Sequence, residues 1–121
     1  MITGQINQVG SPILRITVYG NKGEETIDSI LDTGFDGFIC LPIAVAVSLG
    51  LELIGVTDSE LADGTLVEDE LVFTGKVLWD DEVVDVEIVL TRSTDTLIGT
   101  AMLVNSDVRL NYHTGEVSIN T

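Results

Sequence analysis

Asp32-Thr33-Gly34-Phe35-Asp36-Gly37 is the stretch of this chain best suited to chemistry, because it sets a carboxylate beside a hydroxyl and between glycines. The alternating segment Glu25 to Leu31 runs directly into it, so Asp32 stands where a rigid strand gives way to a tight loop. Glycine at such a place lets the backbone approach the carboxylate and offer it an amide hydrogen bond. Thr33 adds a hydroxyl that both donates and accepts, useful for locking the loop. The bare tripeptide marks an ordinary turn more often than a catalyst. Its setting is what gives it weight.

A single carboxylate is a weak catalyst of amide hydrolysis. Two held about 3 Å apart cannot both ionise easily, so they share a proton and work as acid and base. One then activates water while the other protonates the carbonyl oxygen or the leaving amine. Such a pair titrates jointly, with apparent pKa values that belong to neither group alone.

Other segments offer less. Asp63-Gly64-Thr65 echoes phosphatases that use an aspartyl nucleophile, but Leu61 stands where the partner acid is needed. The acidic run from Asp58 to Glu70 lacks the spacing of a calcium loop and reads as a solvated hairpin. His113, the only histidine, lies in a glycine-containing turn and reads as a surface residue. Cys40, the only cysteine, sits in the apolar run Phe38-Ile39-Cys40-Leu41 and reads as a small buried hydrophobe. It excludes an internal disulfide and a cysteine-built metal site. Asp95, in the loop before Leu97, is an intramolecular candidate to face Asp32. No metal site and no organic cofactor are expected.

The elements that must position Asp32 follow from periodicity. Pro12 to Tyr19 alternates as a strand, Gly20 to Gly23 is turn chemistry, and Glu25 to Leu31 returns. Phe38 to Leu41 is a short strand, and Pro42 opens a brief helix through Leu49 that Gly50 stops. Asp63-Gly64 is a hairpin signal between extended arms. Leu71 to Trp79 and Val83 to Leu90 form another hairpin turning at Asp80 to Glu82, with Trp79 covering an edge. A polar loop from Thr91 to Thr96 then leads into Leu97-Ile98-Gly99 and a helical turn over Thr100 to Val104. Val108 to Tyr112 and Glu116 to Ile119 close the chain around a turn at His113 to Gly115. Hairpin, polar loop, short apolar strand and helical turn thus occur twice, over Ile13 to Leu49 and Gly75 to Val104.

Bulk properties bound the rest. A chain of 121 residues suits one domain over 1–121. Apolar residues make up 45% and aromatics only 5%, so the core must be aliphatic, and abundant Val, Ile and Thr favour strands. The net charge of −15 argues against nucleic acid and against an anionic membrane face. No apolar run reaches membrane-spanning length, and a soluble, cytoplasmic protein is expected.

With these parts in order, Ser29-Ile30-Leu31-Asp32-Thr33-Gly34-Phe35 resembles the catalytic loop of retropepsin-like aspartic proteases, the cellular and bacterial type more than the viral. Leu97-Ile98-Gly99-Thr100-Ala101-Met102-Leu103 resembles their second signature, and the hairpin Leu61 to Leu71, with Gly64 at its tip, falls where they carry a flap. The resemblance spans about Ile13 to Ile119. It implies an all-β fold, a small closed β-barrel with one or two short helices, and a homodimer in which each subunit supplies one catalytic Asp. Two-fold symmetry would set identical carboxylates opposite one another. Asp32, Thr33 and Gly34 would be catalytic. Phe35, Asp36, Gly37, Asp63, Gly64, Thr65, Asp95, Thr96 and Ile98 would contact a peptide or protein substrate. The sequence departs from the pattern in Phe35, where the family often has Ala or Ser, and in Thr100, where viral members carry Arg. The functions expected are therefore an aspartic endopeptidase or, alternatively, a non-catalytic dimeric peptide-binding scaffold on the same barrel.

Overall fold

A computed structural model of the chain describes residues 1–60 and 62–121, with the side chains of 59, 60 and 66–69 outside the description. Among the described residues there are ten strands: β1 (Ile2–Ile6), β2 (Pro12–Gly20), β3 (Gly23–Leu31), β4 (Ile39–Pro42), β5 (Glu52–Glu60), β6 (Leu66–Trp79), β7 (Glu82–Thr91), β8 (Thr96–Ile98), β9 (Asp107–Asn111) and β10 (Glu116–Asn120). Helix α1 covers Ile43–Leu49, and a 3-10 turn covers Thr100–Leu103.

The strands run in the order β6-β7-β4-β8-β3-β2, and pairing of Val18 with Val77 brings β2 back to β6. A six-strand barrel closes in this way. Strand β5 extends it beside β6, while β1, β10 and β9 extend it beside β2. Alternation explains which face points inward. Leu14, Ile16 and Val18 of β2 are buried against an exposed Arg15, and Val86 and Ile88 of β7 against exposed Asp85 and Glu87. The core is aliphatic, as the composition requires, and Trp79 joins it rather than merely covering an edge.

The two repeated segments exchange their short strands. Strand β8, from the second segment, lies parallel to β3 of the first, with Leu31 opposite Ile98. Strand β4, from the first, lies parallel to β7 of the second, with Ile39 opposite Ile88. The exchanged strands also pair with each other, antiparallel, through Ile39 and Ile98. Strands β3 and β4, although consecutive, are therefore separated by β8. The loop joining them must arch over its end.

Pro42 ends β4 opposite Thr91 and precedes the helix instead of opening it, because its ψ of 142° is extended. Gly50 stops α1 in the left-handed conformation, giving its N–H to the carbonyls of Ala46 and Val47. Asp80 and Asp81, both at positive φ, make the tight turn between β6 and β7. No helix among the described residues is long and apolar enough to cross a membrane.

Cys40 is 8% exposed, and burial pushes its thiol up to about 11, with the charge of Glu70 adding to the effect. Two outcomes follow. A disulfide reagent at about pH 8, near the ordinary thiol pKa, should leave the native protein unlabelled and label it on denaturation. Because the folded state holds this proton more tightly than the unfolded chain, stability should also fall as pH rises from the ordinary thiol range towards about 11.

Candidate active site

Asp32 begins where β3 ends, and its N–H donates to the Ile98 carbonyl at 2.9 Å, continuing the pairing with β8 by one residue. The Gly34 N–H donates to Asp32 Oδ1 at 2.8 Å. This bond holds one carboxylate oxygen and fixes the plane in which the other lies. A Cβ at position 34 would stand only 3.2 Å from that oxygen, so glycine keeps the amide close. The Phe35 N–H closes the turn onto the Asp32 carbonyl at 3.2 Å.

The loop is then fastened to the chain following β8. The N–H of Gly99 donates to the Phe38 carbonyl and that of Thr100 to the Phe35 carbonyl, both at 2.9 Å, and that of Ala101 to the Gly37 carbonyl at 3.2 Å. Close approach of two backbones requires the glycine here. A Cβ on Gly99 would lie 2.1 Å from the Gly37 carbonyl oxygen and 2.7 Å from the Phe35 ring. Asp32 is half-buried, Thr33, Gly34 and Asp36 are exposed, and Phe35 and Gly37 are half-buried.

The β5–β6 hairpin carries Asp63, Gly64 and Thr65 at its exposed tip, with Gly64 at φ 87°. The Thr65 N–H donates to Asp63 Oδ1 at 2.9 Å. Hydrogen bonding from Thr65 holds the Asp63 carboxyl below its ordinary range. The expected flap boundary at Leu61 lies outside the described residues. Its arms extend beyond the expected hairpin, reaching back to Glu52 and forward through Trp79.

Two expected substrate contacts sit differently from the expectation. In the parallel register of β3 and β8, Thr96 opposes Ser29 and Ile98 opposes Leu31, so both turn inward with those buried partners. Ile98 is fully buried and packs the core. Thr96 is 2% exposed, and its Oγ1 has no hydrogen-bond partner among the described residues. The outward residue between them is Leu97, opposite Ile30. Asp95 is exposed and belongs beside Asp28 in this register. It stands four residues, roughly 13 Å of strand, short of the level of Asp32, so the two carboxylates do not pair within the chain.

Asp95 instead helps line a groove of about 680 Å³. Ile13 and Ile30 give it apolar surface, Thr3 to Asn7 of β1 and the following turn form one side, and the Arg15–Asp28 ion pair (3.0 Å) lies within it. Thr96 reaches the groove with almost none of its surface open. Among the described residues no group of three or more His, Cys, Asp or Glu side chains converges to hold a metal ion.

No family model matches the chain, and no curated protein matches it. Solved structures do. One is EIAV protease, solved with the inhibitor HBY-793, with a TM-score of 0.60 and 18% identity over 80% of this chain and 88% of that one. Another is a retropepsin-like aspartic protease from Rickettsia conorii, with a TM-score of 0.59 and 17% identity over 96% of this chain and 87% of that one. The chain has the retropepsin-like fold. In that fold Asp32 occupies a strand-end loop locked on both sides by β8 and the residues after it.

Proposed function

We propose that this protein is a homodimeric aspartic endopeptidase whose two Asp32 carboxylates, one per subunit, form the acid–base pair. The observation carrying this reading is the fixed Asp32 at the β3 terminus, its carboxylate held by the Gly34 amide and its backbone N–H donating to the Ile98 carbonyl. With one Asp-Thr-Gly per chain and Asp95 well removed, a second copy is the source of the partner acid. Water between the carboxylates gives a proton to one while attacking the scissile carbonyl carbon. The other donates its proton to the carbonyl oxygen. Collapse of the tetrahedral intermediate then breaks the C–N bond as the amine takes a proton from the first carboxyl and a hydroxyl of the intermediate returns one to the second, leaving acid, amine and a pair that again shares one proton.

In this reading Thr33, exposed on the loop, meets its counterpart across the two-fold axis. An extended peptide runs beneath the Gly64 hairpin, with side chains entering the groove beside Ile13 and Ile30. The reading needs no metal and no organic cofactor. The test is cleavage of a peptide set by the purified chain over a dilution series. Cleavage with a rate per chain that falls on dilution is the expected result. Cleavage independent of concentration removes the shared site, and no cleavage at any concentration favours the scaffold.

A further inference from the structure

We infer that Phe35 is a positioning residue, which clamps the Asp32 loop from within its own chain by filling the space above two glycines. Its ring lies where side chains at 37 and 99 would be. A Cβ on Gly37 would meet the ring at 2.6 and 2.7 Å, and one on Gly99 would meet it at 2.7 Å. Absence of side chains at both positions makes room for the ring, and the ring in turn fills what their absence leaves. Its own backbone is tied at both ends, with N–H to Asp32 and carbonyl to Thr100.

The consequence reaches the carboxylate through a short path. Phe35 closes the turn that contains Gly34, and the Gly34 amide is what holds Asp32 Oδ1. Removing the ring leaves a void beside two glycines, residues whose backbone is the least restrained of any. The turn then loosens, and the amide bond to the carboxylate loosens with it. The loop is thus set within each subunit, and the Thr100 backbone N–H supplies an anchor that needs no particular side chain at that position.

This inference rests on the proposed endopeptidase, and the experiment separates the two. Phe35→Ala, Phe35→Leu, Gly37→Ala and the double variant Phe35→Ala/Gly37→Ala are compared for kcat, KM and thermal midpoint. Phe35→Ala should lower kcat about 10²-fold, as misplacement by about an ångström does, with KM within about twofold. Phe35→Leu, which refills much of the space, should recover most of the loss. Gly37→Ala should cost a similar factor, and the double variant no more than the worse single, because the vacated ring volume admits the new methyl. Independent losses that multiply to about 10⁴ in the double variant would overturn the clamp. So would a lowered midpoint in Phe35→Ala with kcat unchanged, which marks mere packing. If the wild type cleaves nothing, the proposed function fails, yet the midpoints of the same four variants still decide the interlock. Coupled midpoint shifts support it, and additive ones sink it.

Discussion

Replacing Asp32 by Asn should lower kcat by about 10⁴-fold, the upper range for general acid–base catalysis, because one substitution removes both members of a symmetric pair. The change is nearly isosteric. The amide oxygen of Asn still accepts from the Gly34 N–H, and the Asp32 N–H bond to Ile98 is untouched, so the fold should persist. What disappears is the ability to take a proton from water and return one to the carbonyl. Reassembling equal amounts of wild type and variant sharpens the test. Random pairing leaves about one quarter of dimers with two carboxylates, so activity should fall to about a quarter of the all-wild-type value at the same total concentration. A value near one half would mean that each subunit works alone. Undiminished cleavage by pure Asp32→Asn would remove Asp32 from the chemistry altogether.

Gly99→Ala should be the most damaging single methyl group in the site. Its added carbon would lie 2.1 Å from the Gly37 carbonyl oxygen, which is backbone and has no rotamer to yield. The Phe35 ring blocks the remaining direction at 2.7 Å. Relief requires the loop to lift from the 3-10 turn, breaking the amide bonds from Gly99, Thr100 and Ala101 that fasten it. We expect a loss of about 3 kcal/mol, at the upper end for overpacking, and a midpoint lower by about 10 °C. Activity should fall further than unfolding alone explains, since the displaced loop carries Asp32. Unlike Gly37→Ala, this variant should not be rescued by Phe35→Ala, because the clash with the carbonyl remains. Gly55→Ala, where nothing lies within 4 Å, supplies the stability control.

Much of this was legible in the sequence because it is written in local pattern. The alternation of Leu14, Ile16 and Val18, and of Val84, Val86 and Ile88, carries the strand faces without help from distant residues. The carboxylate loop was recognisable for the same reason, as chemistry packed into adjacent positions. Pairing between distant segments was less open to reading. Strand β1, and the part of β5 before Asp58, carry no local signal because their stability comes from neighbours, β10 and β2 for the one and β6 for the other. The inward turn of Thr96 and Ile98 depends on register with β3, which nothing within β8 declares. In the sequence Phe35 reads only as a departure from the family's Ala or Ser. Its accommodation depends on Gly99, far along the chain, and becomes visible only when the two loops are brought together.

The position of β8 also orders the folding of the molecule. Three residues, Thr96–Ile98, must enter a slot between β3 and β4, strands made much earlier in the chain. Closing so long a loop for so few contacts is entropically unrewarding until both walls of the slot exist, which makes this insertion a late event. Asp32 receives its Ile98 partner, and its loop receives the Gly99, Thr100 and Ala101 anchors, at that same step. A nascent or half-folded chain therefore carries the carboxylate on an unfastened loop.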